Sequence, residues 1–281
     1  MEISLLKIFL TIAEENSLTI ASQKLYTVQS NVSARLKILE EEIGKPLFFR
    51  TKKGMFLTET GEKLKPLAID IIQKSENIKS ILNKDNIKGN IKIGLTESFL
   101  RTYLHKPLEK WIKEYPYAKI KIKTGFSNRI IEDLNNRDID IGVIIARQKP
   151  KNFHILKEYK SELCLVTPKK ISSINANDLS LLQPMLLGDS CFFGQTLIQL
   201  CYNLNVETKG FEYLHSIESI LHCIRLGLGF SILPKCLVEN HYLKNEISVH
   251  KLQSKSNFSY FKVCLNSRKD DILFKEMVKY L

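Results

Sequence analysis

The chain has 281 residues, which exceeds the usual size of a single domain and predicts two or three modules, and its 44% hydrophobic content is enough to build real cores. Because 42 Lys and Arg outnumber 30 Asp and Glu, the net charge of +12 favours an anionic partner such as nucleic acid or a membrane surface. No apolar run approaches the roughly 20 residues that span a bilayer, and the N-terminus lacks a signal peptide's continuous apolar core, so we expect a cytoplasmic protein without a membrane segment.

Three short helical patterns occupy the first 44 residues. In each, apolar residues recur at the spacing that places them on one buried helix face. The basic segment LFFRTKKGMFLTETG follows and predicts a positively charged hairpin. Residues 1–58 therefore predict a winged helix-turn-helix, whose third helix enters the DNA major groove. The buried positions are Leu5, Ile8, Phe9 and Ile12 on the first helix, Leu18, Ala21 and Leu25 on the second, and Val32, Leu36, Leu39 and Ile43 on the third.

The third helix and the wing carry the candidate DNA contacts. Gln and Asn can make two hydrogen bonds to adenine and Arg can do so to guanine, each good pair discriminating by roughly 1–3 kcal/mol. The wing cations are better placed for the phosphate backbone, as is Arg35 on the flank of the buried stripe. The alternative is a basic hairpin that is merely solvated. The candidates are Gln29, Ser30, Asn31, Ser33, Ala34, Arg35 and Lys37 on the helix and Arg50, Lys52 and Lys53 on the wing.

A set of residues at fixed spacing runs from the second helix to the end of the wing, namely Ala21, Leu25, Gln29, Ser33, Leu39, Glu40, Ile43, Gly44, Leu47, Phe48, Arg50, Leu57, Thr58 and Gly61. In these residues the N-terminal segment resembles the LysR-type transcriptional regulators, and the resemblance extends more weakly to the C-terminus. It departs from the family pattern at two positions. Val28 stands where the family often has a Ser or Thr able to cap the recognition helix, and Ala34 stands where a basic or polar base-reading residue is frequent.

Residues 59–83 predict a long linker helix that Thr58 caps. Its apolar stripe has no other core nearby, and the resemblance implies that a second subunit covers it in an antiparallel dimer. The alternative is packing on the chain's own effector domain. Pro66 predicts a local bend or a helix that begins near it. The stripe comprises Leu64, Leu67, Ile71, Ile78 and Leu82, with Ala68 and Ile72 beside it, and the polar segment 84–90 reads as a hinge.

Residues 91–281 alternate between strand and helix patterns, which predicts an α/β domain with parallel strands and right-handed crossovers. Two such units follow one another, and a terminal helix is predicted over 271–281, which the resemblance implies returns to the first unit. The expected first subdomain covers about 91–160 and 266–281, and the second covers about 161–265. Together they resemble the periplasmic-binding-protein architecture, in which a ligand binds in the cleft between the halves.

The resemblance places the effector contacts in loops that face this cleft. Hydroxyl groups and free amides at helix N-termini suit a carboxylate or another small anion. Ser and Thr are also ordinary helix caps, so each position keeps that second interpretation. We expect Arg101 and Arg129 to be solvated, and the alternative is that they bring positive charge to the cleft. The matching positions are Thr96, Ser98, Thr124, Gly125, Ser190, Cys191 and Ser216.

Other candidate sites are weaker. Six cysteines occur without a C-x-x-C pair, which argues against a structural zinc site, although Cys191 and Cys201 leave redox sensing as an alternative. His215 and His222 are seven residues apart and lack metal-ligand spacing, so with Glu218 they predict a helix cap and partly buried histidines. The Gly227-Leu228-Gly229 segment lacks the third glycine of a dinucleotide fingerprint. We expect no metal and no cofactor apart from the effector.

These features predict a LysR-type regulator rather than an enzyme. Paired winged helices of a homodimer or homotetramer would bind double-stranded promoter DNA at the bacterial nucleoid. A small-molecule effector, for which an anion is the candidate, would change the spacing of those helices and their contact with RNA polymerase. The rival class is a solute-binding or enzymatic α/β protein with an accessory basic domain, which the missing export signal and missing catalytic constellation oppose.

Overall fold

The structure is a computed structural model that describes residues 1–82, 89–115, 118–188, 191–252 and 257–266. The chain divides into two compact units, one ending at Gly89 and the other beginning at Asn90. The expected hinge at 84–90 falls mostly outside the described residues, and the expected terminal helix at 271–281 falls entirely outside them.

The N-terminal unit is a winged helix-turn-helix. Its apolar core includes Phe9, Val32 and Leu39, all fully buried, and the ring of Phe9 lies 5.4 Å from that of Phe48 on the wing. The helical stripes predicted from the sequence therefore form one core. The elements are α1 (Ile3–Glu15), α2 (Leu18–Lys24), α3 (Gln29–Ile43), β1 (Phe48–Thr51), β2 (Gly54–Leu57) and α4 (Glu59–Leu82).

Helix α4 begins where the sequence predicts. The Thr58 hydroxyl accepts from the Gly61 amide at 3.1 Å and donates to the Pro46 carbonyl at 2.8 Å. The helix continues through Pro66. A proline in the second turn removes one backbone hydrogen bond without ending the helix.

Part of the apolar stripe of α4 packs on the winged-helix core, and part faces solvent. This corrects the expectation that no nearby core covers the stripe. Ala68 is fully buried in the winged-helix core, and Leu64 and Ile72 pack against that core. Leu67 and Ile71, by contrast, are 56% and 37% exposed. The side chains of Ile78 and Leu82 lie outside the described residues.

The second unit is built on one mixed sheet. Its strands pair in the order β4-β3-β5-β11-β6-β9-β7-β8, and β10 pairs with β6. The β3–β5, β7–β8 and β7–β9 pairs are parallel, as the alternation predicts. The strands are β3 (Gly89–Leu95), β4 (Ala118–Thr124), β5 (Ile141–Ala146), β6 (His154–Pro168), β7 (Gln183–Leu186), β8 (Glu212–Tyr213), β9 (Gly229–Pro234), β10 (Ile247–Lys251) and β11 (Asn257–Cys264).

Helices flank this sheet. The helix predicted from about Ser98 to Tyr115 is divided into α5, a π-helical turn over Leu100–Leu104 and α6, and the change of hydrogen bonding precedes Pro107, which has no amide hydrogen to donate. The helices are α5 (Glu97–Phe99), α6 (His105–Glu114), α7 (Ser127–Asn135), α8 (Ala176–Ser180), α9 (Phe192–Asn203), α10 (Ile217–Arg225) and α11 (Lys235–Glu239), and a 3₁₀ turn covers Tyr242–Asn245.

Strand β6 belongs to both subdomains. Its first part pairs with β11 as far as Glu162, and from Leu163 onward it pairs with β9. Strand β11 also pairs with β5 of the first subdomain. The expected division, which assigned residues up to 265 to the second subdomain, therefore needs correction, because hydrogen bonding places Asn257–Cys264 in the first.

Candidate DNA interface and effector cleft

The N-terminal half of α3 is a solvent-facing row of short polar side chains. The helix begins at Gln29 with Val28 at the N-cap, and the Val28 side chain makes no capping hydrogen bond. Of the predicted contacts on this helix, Ser33 and Arg35 are partly buried. The exposed ones are Gln29, Ser30, Asn31, Ala34 and Lys37.

Threonine hydroxyls orient two of these side chains. The Thr19 hydroxyl donates to Gln29 Oε1 at 3.1 Å, and Asn31 Nδ2 donates to the Thr27 hydroxyl at 2.8 Å. These hydrogen bonds already restrict each amide side chain, so the amide loses less conformational entropy when it binds a base. Beside them, Tyr26 is 97% exposed at φ 51° in the turn before α3, a position that the sequence reasoning did not single out.

The two arginines near α3 are anchored to neighbouring elements. Arg35 donates to the Ser4 hydroxyl of α1 at 3.1 Å, so it ties two helices together in addition to any role at DNA. Arg50 of the wing donates to the Ser33 hydroxyl at 3.2 Å. This bond brings the wing cation next to the polar row of α3.

The wing turn presents Lys52 and Lys53 to solvent between paired residues Thr51 and Gly54. Gly54 has φ +128°, and a Cβ there would lie 2.4 Å from the Asn16 carbonyl oxygen. The adjacent Met55 amide donates to that same carbonyl at 2.9 Å. A glycine is therefore required for the wing to pack against the end of α1.

The acidic run at the other end of α3 has a structural role. Glu40 Oε1 accepts from the Leu47 amide at 2.7 Å, which fixes the start of β1 relative to α3. Glu41 forms an exposed ion pair of 3.6 Å with Lys37. The acidic side chains thus lie away from the first turns of α3.

In the second unit, the hydroxyls of Thr96 and Ser98 are buried at the end of β3. They lie 3.2 Å apart, and the Tyr260 hydroxyl donates to Ser98 at 3.0 Å. Tyr260 is fully buried, and burial raises its pKa, so its hydroxyl keeps its proton. The three hydroxyls form a neutral, polar floor.

A cavity of about 40 Å³ lies over this floor, between the two subdomains. It brings together four of the predicted effector residues, namely Thr96, Ser98, Gly125 and Cys191. Phe126, Phe192 and Phe193 also line it, and a Cβ on Gly188 would lie 2.9 Å from the Phe126 ring. The sequence reasoning missed Glu97, Phe126, Ser127, Ile145, Leu187, Phe192 and Phe193, several of which are direct neighbours of the predicted positions.

Two predicted effector residues do not line this cavity, and a third is not described. Thr124 is the last residue of an edge strand and its side chain is exposed. Ser216 caps α10 by accepting from the Ser219 amide at 3.1 Å. Ser190 lies outside the described residues. The Gly125 amide donates to the Leu95 carbonyl at 3.0 Å, so it is already engaged.

An ion pair joins the two subdomains. Arg101, which follows β3, donates to Glu218 of α10 at 2.8 Å, so the exposed side chain expected here also forms an ion pair. Glu218 also accepts from Tyr242 at 2.5 Å and lies 3.1 Å from His241 Nε2. Hydrogen bonds from Tyr242, Arg101 and His241 lower the pKa of Glu218 to about 2, so it is ionised at neutral pH. Arg129 instead pairs with Asp133 of its own helix at 3.2 Å.

The two cysteines considered for redox sensing are buried. Cys191 and Cys201 are 3% and 4% exposed, and burial raises the pKa of each thiol, which disfavours the reactive thiolate. They lie at the two ends of α9, and ten residues of helix span about 15 Å, which is too far for a disulfide. The geometry therefore does not favour the redox alternative.

Among the described residues, no helix combines the length and apolar character needed to cross a membrane. Within the same residues, no cluster of three or more His, Cys, Asp and Glu side chains is arranged to hold a metal ion.

Comparisons with known proteins assign the chain to a family. The family described as "Bacterial regulatory helix-turn-helix protein, lysR family" matches residues 3–62, and "LysR substrate binding domain" matches residues 84–281. The HTH-type transcriptional regulator CzcR of Bacillus subtilis (strain 168) is 29% identical over 258 residues, which are 92% of this chain and 88% of CzcR.

Two solved structures have the same fold. A full-length OxyR variant from Pseudomonas aeruginosa has a TM-score of 0.76 at 19% identity, covering 100% of this chain and 94% of OxyR. Full-length CbnR complexed with its target DNA has a TM-score of 0.64 at 17% identity, covering 100% of this chain and 98% of CbnR. With both family matches and the architecture in agreement, the chain belongs to the LysR family and is a DNA-binding transcriptional regulator of that type.

Proposed function

We propose that α3 reads the base edges of a promoter site while the wing holds the phosphate backbone. The observation that supports this division is the exposed polar row of α3 flanked by the exposed Lys52 and Lys53. Side-chain amides suit adenine, whereas flexible ammonium groups suit phosphates. Val28 and Tyr26 add exposed apolar surface beside Gln29, which suits contact with a thymine methyl group.

We also propose that a homodimer binds a pseudo-palindromic site, and that it pairs further into a homotetramer. Leu67 and Ile71 form exposed apolar surface on α4, and a second copy of α4 would cover it. A two-fold dimer places one recognition helix on each half-site. Bound there, the protein would act at the bacterial nucleoid in the cytoplasm and contact RNA polymerase.

The proposed effector site is the cleft over Thr96 and Ser98, and it needs no metal or other cofactor. A cavity of about 40 Å³ is smaller than a metabolite, so entry requires the subdomains to separate. The neutral hydroxyl floor can donate to a carboxylate or another small anion. Since Arg101–Glu218 joins the subdomains, an effector would shift the balance between joined and separated arrangements.

The DNA proposal is tested with a duplex taken from upstream of the protein's own gene. Binding is measured by fluorescence anisotropy at several salt concentrations. Gln29→Ala should lose about 1–3 kcal/mol of specific affinity and keep its non-specific affinity. Lys52→Ala should weaken both kinds of binding and reduce the salt slope by about one.

Gln148→Ala is the matched control for Gln29→Ala, because Gln148 is an exposed glutamine of the second unit. All variants should keep the wild-type oligomer size and melting temperature. Unchanged specific affinity in Gln29→Ala would contradict the proposed role of α3.

The effector proposal is tested by thermal shift against a panel of small carboxylates and phosphates. A compound that stabilises the protein should also shift the DNase footprint. Thr96→Val should bind it about tenfold more weakly, because the variant loses a buried hydroxyl donor. Thr124→Val is the control, since Thr124 does not line the cavity. Equal affinity of the compound for Thr96→Val and Thr124→Val would rule out the cleft as its binding site.

A further inference from the structure

A second and much larger cavity borders the cleft through Phe192. This cavity has a volume of about 480 Å³, and Phe192 lines both it and the cleft. It is open along one face of α9 and reaches the end of β10. Its size falls within the range of about 300–1,000 Å³ that is typical of small-molecule sites.

The chemistry of its wall is divided between an apolar floor and a polar rim. Ile232 is almost completely buried at the floor, where Leu200 and Leu252 also line the cavity. Gln195 and Gln199 are exposed on the rim. Because they are four residues apart on α9, their amides lie on the same face of the helix.

The charge of the rim has one sign. Arg147 and Lys251 both line the cavity, and no Asp or Glu is among its described lining residues. The Arg147 guanidinium lies 5.0 Å from the centre of the Phe192 ring, and it donates to the Thr196 hydroxyl at 3.4 Å. Two cations beside apolar surface favour an anion that carries an apolar body.

We propose that this cavity is a second small-molecule site, which binds an amphipathic carboxylate. The carboxylate lies toward Lys251 and Arg147, and the apolar body lies against Ile232 and Leu252. A ligand bound here contacts Phe192 and so touches one wall of the effector cleft.

Decanoate is the probe, because it combines a carboxylate with an apolar chain of suitable length. It is titrated calorimetrically into the full-length protein. Two rim variants are compared with wild type: Lys251→Glu reverses a charge, and Gln199→Trp fills the cavity. Both positions are exposed, so both variants should keep the wild-type melting temperature. The control is Lys209→Glu, an identical charge change at an exposed lysine outside the cavity.

The expected result is saturable binding to wild type and Lys209→Glu, with affinity reduced by about tenfold or more in both rim variants. Equal affinity in all four proteins would place decanoate elsewhere and overturn the proposal, as would the absence of saturable heat in wild type. Because the readout does not involve DNA, either failure is distinguishable from a failure of the proposed DNA or cleft sites.

Discussion

Glu40 shows how one side chain connects two elements of the DNA-binding unit. Its carboxylate accepts a hydrogen bond of 2.7 Å from the Leu47 amide, at the junction between α3 and the wing. Leu47 is fully buried, so its amide would otherwise lack a partner in an apolar setting. The residue therefore controls where the wing lies relative to the recognition helix.

Glu40→Ala should reduce the free energy of unfolding by about 1–3 kcal/mol, because a buried amide loses its acceptor. Urea denaturation measures this change. Glu41→Ala is the control, since Glu41 forms only an exposed ion pair with Lys37, worth a few tenths of a kcal/mol at most. Equal destabilisation by both substitutions would show that the hydrogen bond to the Leu47 amide contributes no more than an exposed ion pair, since Ala is a better helix former than Glu.

For single residues, the sequence predicts which side chains are exposed better than it predicts their hydrogen-bonding and ion-pair partners. The helical period correctly turns Ser30, Ala34 and Lys37 toward solvent, whereas Ser33, which it also turns outward, is partly buried. It does not predict that Arg35 donates to Ser4, 31 residues away, or that Arg101 pairs with Glu218, 117 residues away. Such pairs depend on tertiary packing, which a local pattern does not encode.

Among the elements, the wing depends on one glycine. Gly54 combines a positive φ with a close approach to the Asn16 carbonyl, so a side chain there would meet both backbone strain and a collision. The hairpin is only four paired residues long on each strand, and this contact with α1 is one of several that hold it against the helices.

Gly54→Ala should lower the melting temperature and also weaken DNA binding, because the wing must move away from α1. Gly210→Ala is a matched control, since Gly210 has φ +121° but open space around its Cα. Strain alone costs about 1–3 kcal/mol, so Gly54→Ala should exceed Gly210→Ala in a urea titration. Similar losses of stability in the two variants would show that the collision with the Asn16 carbonyl does not contribute.

Element order was accessible from the sequence, but the length of β6 and the burial of α4 were not. The alternation of strands and helices predicted the parallel units correctly. Strand β6 is much longer than its apolar segment Leu163–Val166, because it continues into the neighbouring subdomain, where charged residues such as Lys157 and Glu158 interrupt the apolar pattern. Likewise, the stripe of α4 did not reveal which of its residues the winged-helix core covers.

Across the whole molecule, the net positive charge is not concentrated in the DNA-binding unit. Residues 1–89 contain 14 Lys and Arg against 11 Asp and Glu, whereas residues 90–281 contain 28 against 19. Most of the positive charge thus lies in the effector-binding part of the chain. The net charge that first pointed to nucleic acid is therefore also consistent with anionic small molecules in that part.

The ion pair between the subdomains predicts a pH dependence. Because the folded-state pKa of Glu218 is lowered to about 2 from an ordinary 4.5, its stabilisation is present above pH 4.5 and is lost as the pH falls toward 2. Glu218→Gln should therefore be less stable than wild type at pH 7, and the difference should shrink below pH 4.5. Thermal melts from pH 3 to pH 7 measure it.

Glu246→Gln provides the control, because Glu246 forms a looser pair of 3.4 Å with Arg225 within the second subdomain. Its melting curves should parallel those of wild type across the same range. A stability difference for Glu218→Gln that stays constant with pH would exclude ionisation of this carboxylate as its source.

Strand β6 exchanges its hydrogen-bonding partner at Glu162 and Leu163 without leaving the sheet. Breaking that ladder would leave buried amides unsatisfied, so a movement of the halves has to bend or twist this continuous strand. Ligands of different shape would then all produce the same kind of movement, a change in the angle between the two halves. Substitutions in the loops of such a regulator can change which ligand it binds, while the movement that follows binding stays the same.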